Sequence, residues 1–156
     1  MKKGLQLLFI TVISLLIIFG EQYAQGTKHC KMLGKTFKDA KKTYGAPTFE
    51  NLDDVNMQWI FYQLGNDKIT FVGDDKNIFQ VQVEITCDSK KDSQSKMDVF
   101  IKECVTNSMK IDTLKDGNFK IAGNGMQIDL YNWENLSRNA AGFKYKALLT
   151  EPKKEN

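Results

Sequence analysis

The sequence predicts an α+β fold: an antiparallel sheet with two helices packed on one face, in the order helix, three strands, helix, three strands. Three observations predict it. Two hydroxyl-capped stretches repeat apolar residues at helical spacing. Several short runs alternate apolar with polar residues. Gly- and Asn-bearing turns separate those runs closely enough to make consecutive strands antiparallel neighbours.

The first helix is announced by Thr36-Phe37-Lys38-Asp39, a hydroxyl cap with an acidic side chain three positions on. Phe37, Ala40 and Tyr44 then share one face, and Gly45 and Pro47 supply the stop. Residues 57–64 are aromatic and branched, and Gly65-Asn66 turns them back into residues 68–72 as a hairpin. After the turn at residues 73–76, Phe79, Val81, Val83 and Ile85 alternate with Gln80, Gln82 and Glu84, a strand with one wet face; Cys87 continues the inward parity. Ser95-Lys96-Met97-Asp98 offers a second cap, followed by the stripe Met97, Phe100, Ile101, Cys104, Val105 and Ser108. The last three strands are residues 118–122, 126–133 and 142–150. Gly123-Asn124-Gly125 is the tight turn between the first two, and 132–141 reads as a long loop before the last.

Ahead of all this, Met1-Lys2-Lys3 precedes a segment without charge up to Glu21, almost wholly apolar over residues 5–19. A basic start, an apolar stretch and small residues at Ala24 and Gly26 describe a secretory signal peptide. A membrane span needs about 20 apolar residues, slightly more than this run supplies. The expected organisation is a signal peptide over 1–26, cleaved after Ala24 or Gly26, and a single exported domain over 27–156 in a periplasmic or extracellular setting. Cys30 lacks the small-residue sequence that precedes a lipidated cysteine, so no lipid anchor is expected.

The formal charge of +3 falls to about +2 once the signal's Lys2, Lys3 and Glu21 are removed. Arg138 is the only arginine, and no segment gathers basic residues beside aromatics, so nucleic acid is not an expected partner. The only histidine, His29, falls in a stretch that reads as a disordered tail and has no spaced partners for a base or a metal, so neither a catalytic set nor a cofactor is expected. Asp53-Asp54 and Asp74-Asp75 suit turns better than acid-base pairs. Cys30, Cys87 and Cys104 allow at most one intrachain disulfide. The position of Cys104 well along its helix argues against Cys87–Cys104 and leaves Cys30–Cys104 and Cys30–Cys87 open.

Trp59, Tyr62, Tyr131, Trp133, Phe143 and Tyr145 are many aromatics for a small sheet, and alternation forbids all of them one face. Aromatic side chains on an open sheet face are natural protein-binding anchors. The expected contacts are Trp59, Tyr62, Tyr131, Trp133 and Arg138.

Over residues 34–83 the chain resembles SmpA/OmlA-type outer-membrane lipoproteins and the similar modules of β-lactamase-inhibitor proteins. The residues that carry this are Gly34, Ala40, Tyr44, Gly45-Ala46-Pro47, Trp59, Phe61, Phe71, Val81 and Val83. The resemblance implies a small exported module that binds proteins through an exposed sheet face and has no catalytic residues. The expectation is therefore a non-enzymatic protein-binding module in the cell envelope, an inhibitor or immunity protein acting on another secreted or envelope protein. An envelope structural or assembly factor and a carrier of a small apolar ligand are the alternatives.

Overall fold

The computed structural model describes residues 27–135 and 140–150. A short 3-10 helix, Lys28–Met32, leads into α1 (Phe37–Tyr44). Four strands follow: β1 (Phe49–Asn51), β2 (Gln58–Leu64), β3 (Asp67–Gly73) and β4 (Ile78–Cys87). Then come α2 (Lys90–Thr106), β5 (Lys110–Thr113), a 3-10 turn at Lys115–Gly117, β6 (Phe119–Gly123), β7 (Met126–Asn135) and β8 (Ala140–Leu149).

The strands form one antiparallel sheet in the order β1-β2-β3-β4-β8-β7-β6-β5. Each half is a helix followed by a four-stranded meander. The two halves join where their last strands pair, from Gln80 opposite Leu148 to Cys87 opposite Ala141. The expected three-plus-three strands are thus four plus four. β1 and β5 escaped the sequence because they are edge strands of three and four residues without buried alternation.

One face of the sheet carries the core. Ile60, Tyr62, Ile69, Phe71, Val81, Val83, Ile121, Ile128, Leu130, Phe143, Tyr145 and Ala147 are buried beneath Ala40 of α1 and Met97, Phe100 and Cys104 of α2. Removing each large apolar side chain from water stabilises the fold by about 1.5–3 kcal/mol. Phe100 is central to this, its ring centroid 4.9 Å from that of Tyr145 and 6.3 Å from that of Phe143.

The capping box of α1 is complete. Asp39 N donates to Thr36 Oγ1 at 3.2 Å and Thr36 N donates to Asp39 Oδ2 at 3.1 Å, while Gly45, at φ 82°, ends the helix. The Asn124-Gly125 turn has φ values of 52° and 72°, the doubly left-handed pair that suits a tight hairpin.

Several expectations are corrected. α2 begins after Ser89, whose Oγ accepts from Asp92 N at 3.1 Å, so Ser95 lies in the helix interior. Its first turns are too polar to continue the apolar stripe backwards. At the other end Val105 is 57% exposed, and Ser108 lies beyond the helix at φ 59°. In β4 the pairing shifts register, Val72 facing Gln80 while Gly73 faces Ile78. Phe79 becomes the extra residue of a bulge and Ile78 takes the core position. Residues 132–135, 140 and 141 belong to β7 and β8 rather than to a long loop.

The stretch around His29 is built into the fold rather than being a tail. His29 and Cys30 are buried, Gly34 N donates to Ile78 O at 2.8 Å, and Ile78 N donates to Lys35 O at 2.7 Å. All three cysteines are buried free thiols, so none of the candidate bridges is present. Burial pushes the Cys30 and Cys104 thiols up to about 12.

Candidate protein-binding face

Because side chains alternate along a strand, burying Ile60, Val81, Ile128 and Tyr145 on one face sends their neighbours to the other. Both helices roof the core face. Trp59 and Phe61 of β2 and Tyr131 and Trp133 of β7 are half-buried and share the opposite, open face. β3, β4 and β8 lie between these two aromatic pairs, a separation of four strand spacings or roughly 19 Å.

At the β2 side, Phe61 stacks on Phe49 of β1, centroids 6.2 Å apart, and Phe49 is 64% exposed. Val55 and Met57, in the loop before β2, are also exposed and add apolar surface at this end of the sheet. At the β7 side, Trp133 lies opposite Gly142. A Cβ on Gly142 would come within 2.7 Å of the Trp133 ring and 2.0 Å of Ile85 O, so the indole is seated on bare backbone. A ring held this way loses little freedom when a partner covers it.

Between the aromatic pairs is a hollow of about 320 Å³ lined by Phe61, Lys68, Gln82, Glu84, Tyr131, Lys144 and Lys146 among others. Lys68 Nζ pairs with Glu84 at 2.7 Å. Lys144 and Lys146 stand opposite Glu84 and Asp129 in the strand pairing without an ion pair within 4 Å among the described residues, and three lysines against one carboxylate in the lining leave the hollow mildly basic. Its chemistry is that of a wet, positively charged saddle between apolar shoulders.

Of the expected contacts, the structure brings Trp59, Tyr131 and Trp133 to this face. Tyr62 does not belong to it: the residue is 1% exposed under α1, and its hydroxyl donates to Gly45 O at 3.2 Å. Its parity with Ile60 fixes that orientation, and the same parity points to Phe61 in its place. Arg138 lies outside the described residues. The lysines of the hollow were missed because they are scattered over β3 and β8, which become neighbours only through β4. Asp54 and Asp74 act as turn residues: Asp54 Oδ1 accepts from Asn56 N, and Asp74 Oδ1 from Lys76 N and Asn77 N. Those backbone donors hold the Asp74 carboxyl below its usual range.

His29 sits on the core side, its Nδ1 2.9 Å from the Tyr44 hydroxyl and its Nε2 buried without a partner. Burial, aided by the neighbouring Lys28 charge, lowers its pKa from 6.5 to about 4. Among the described residues no group of three or more His, Cys, Asp or Glu side chains is placed to hold a metal ion, and no helix is long and apolar enough to cross a membrane.

No family model matches the chain, and no curated protein matches it. Among solved structures it is similar to a cysteine-rich secretory protein from Staphylococcus aureus subsp. aureus Mu50, with 11% identity and a TM-score of 0.41 over 78% of this chain. The chain spans 45% of that protein's length, and a likeness this slight assigns neither fold nor function.

Proposed function

We propose that this chain is an exported, non-enzymatic module that binds another secreted or envelope protein across the open face of its sheet, as an inhibitor or immunity protein. The observation that carries the reading is the division of the sheet into a face roofed by both helices and a face on which Trp59, Phe61, Tyr131 and Trp133 stand half-buried with no helix over them among the described residues. Tyr and Trp provide large contact area at low entropic cost and concentrate binding energy, and the basic hollow between them favours correct approach over wrong partners. The signal-like segment before residue 27 supports a periplasmic or extracellular setting. The resemblance to SmpA/OmlA-type and β-lactamase-inhibitor modules enters on the same footing.

Affinity purification of the exported protein from its own cells, with bound proteins identified by mass spectrometry, tests the reading. One stoichiometric secreted protein is expected, with Trp133→Ala weakening the complex at least about thirtyfold, the effect of a 2 kcal/mol anchor. Tyr62→Phe, altered beneath the sheet, leaves binding intact. A complex indifferent to Trp133→Ala and Tyr131→Ala would place the interface elsewhere. Recovery of assembly-machine components, or of a bound small mass in native mass spectrometry, would replace the inhibitor reading with one of its alternatives.

A further inference from the structure

We propose that the Gly26–Thr27 peptide bond is the processing site of this chain, and that the amino group freed on Thr27 closes an ion pair with Glu103 of α2. This rests on the export reading given above and adds to it a position of scission and a role for the new terminus.

Two sets of observations converge on Thr27. The first is sequence: Ala24 and Gly26 stand three residues and one residue before this bond, the small-x-small arrangement that signal peptidases accept. Ala24 taken as the last residue of the signal instead would leave Gln25 and Gly26 on the mature chain.

The second is geometry. Thr27 N donates to Glu103 Oε2 at 3.2 Å, and Thr27 Oγ1 donates to Glu103 Oε1, so both carboxylate oxygens are engaged by one residue 76 positions away. From Thr27 onward the chain is anchored without interruption. Cys30 N donates to Thr27 O at 2.9 Å, His29 and Cys30 are buried within three residues, and His29 reaches Tyr44. A cut after Gly26 would therefore place the new terminus on a residue already tied to α2 and to the buried segment that follows it.

In an uncut chain the Thr27 nitrogen is a neutral amide with one hydrogen. Scission adds one water across the bond: the C–N bond breaks, a C–O bond forms to leave Gly26 as a carboxylate, and the nitrogen takes up both of the water's protons to become an ammonium with three hydrogens. The same atom, already facing the carboxylate, gains a charge and further donors. A charge-assisted hydrogen bond is roughly twice as strong as a neutral one. Processing at this bond thus tightens the N-terminal segment onto α2, whereas a cut after Ala24 would carry the charge two residues away from Glu103.

The test begins with the protein exported from the cells that make it, whose first residue is read by N-terminal sequencing and intact mass. Thr27 is expected. Gln25, or any other first residue on the exported chain, Met1 included, overturns this inference while leaving export standing; a chain found only inside the cell overturns both. The second arm compares the exported wild type with Glu103→Gln by limited acetylation at pH 7, quantified at the terminal amine by peptide mass. An amine held charged by Glu103 should react about tenfold more slowly in the wild type, the change produced by one pKa unit. Equal rates would remove the ion pair.

Discussion

The two halves of the sheet share a strand plan and differ in how they are roofed. The second half is covered by α2, which spans Lys90–Thr106 and inserts Met97, Phe100 and Cys104. The first half has α1, only Phe37–Tyr44, with Ala40 as its buried residue. The shortfall is met by the 3-10 segment before it and by aromatic rings: Tyr44 lies within 5.6 Å of the centroids of His29, Tyr62 and Phe71. One roof is thus a long apolar stripe, and the other is a short helix propped by a polar cluster. A sheet face can be closed either way, but the second solution brings a buried titratable group with it.

That contrast can be broken most severely at Phe100. Truncation by Phe100→Ala empties the space between α2 and the rings of Phe143 and Tyr145 and is expected to cost about 3–5 kcal/mol in denaturant unfolding. A loss below about 1 kcal/mol would mean that α2 is not the principal roof.

The next effect belongs to the first half alone. His29 has a folded pKa of about 4 against 6.5 for an ordinary histidine, so between these values the unfolded chain binds the extra proton. Its contribution is present in full above pH 6.5 and is lost as pH falls toward 4, a decline of about 3 kcal/mol for the 2.5-unit difference. Thermal midpoints measured across that window should fall less steeply in His29→Asn. An unchanged slope would show that the cluster does not hold the imidazole neutral.

The smallest effect separates the helices by their caps. Thr36→Ala removes the hydroxyl that accepts from Asp39 N and donates to Asp39 Oδ2 at the start of an eight-residue helix, and should cost about 1 kcal/mol. Ser89→Ala removes the one side-chain cap bond seen at the start of α2 and should cost less, because the longer helix is held by its packing. Equal losses in urea unfolding would remove the distinction.

What the sequence disclosed follows the same division between local and distant causes. The cap at Thr36, the stop at Gly45, the Asn124-Gly125 turn and the alternation in β4 and β7 are written in adjacent residues. The start of α2 was misplaced because Ser89-x-x-Asp92 and Ser95-x-x-Asp98 are equivalent patterns, and only packing distinguishes them. His29 and Cys30 look like a polar tail because what buries them lies elsewhere, with His29 meeting Tyr44 and Cys30 bonding the distant Tyr145. Of the candidate face, Trp59, Tyr131 and Trp133 were legible as accessible aromatics. Tyr62 was misassigned although its parity with Ile60 was available. The basic hollow could not be read, since it depends on the pairing of β4 with β8.

That seam also dictates an order of events. The meander of β2, β3 and β4 is assembled from near neighbours in the chain, but β4 waits for a strand about sixty residues downstream that is the last of the described strands to be synthesised. Until then β4 and β7 are both unpaired edges, the feature by which sheets recruit the wrong chain, and contacts this distant in sequence form late. The central strand pair of the finished molecule is therefore its most vulnerable surface during biogenesis, and a chain that lost β8 would expose two sticky edges at once.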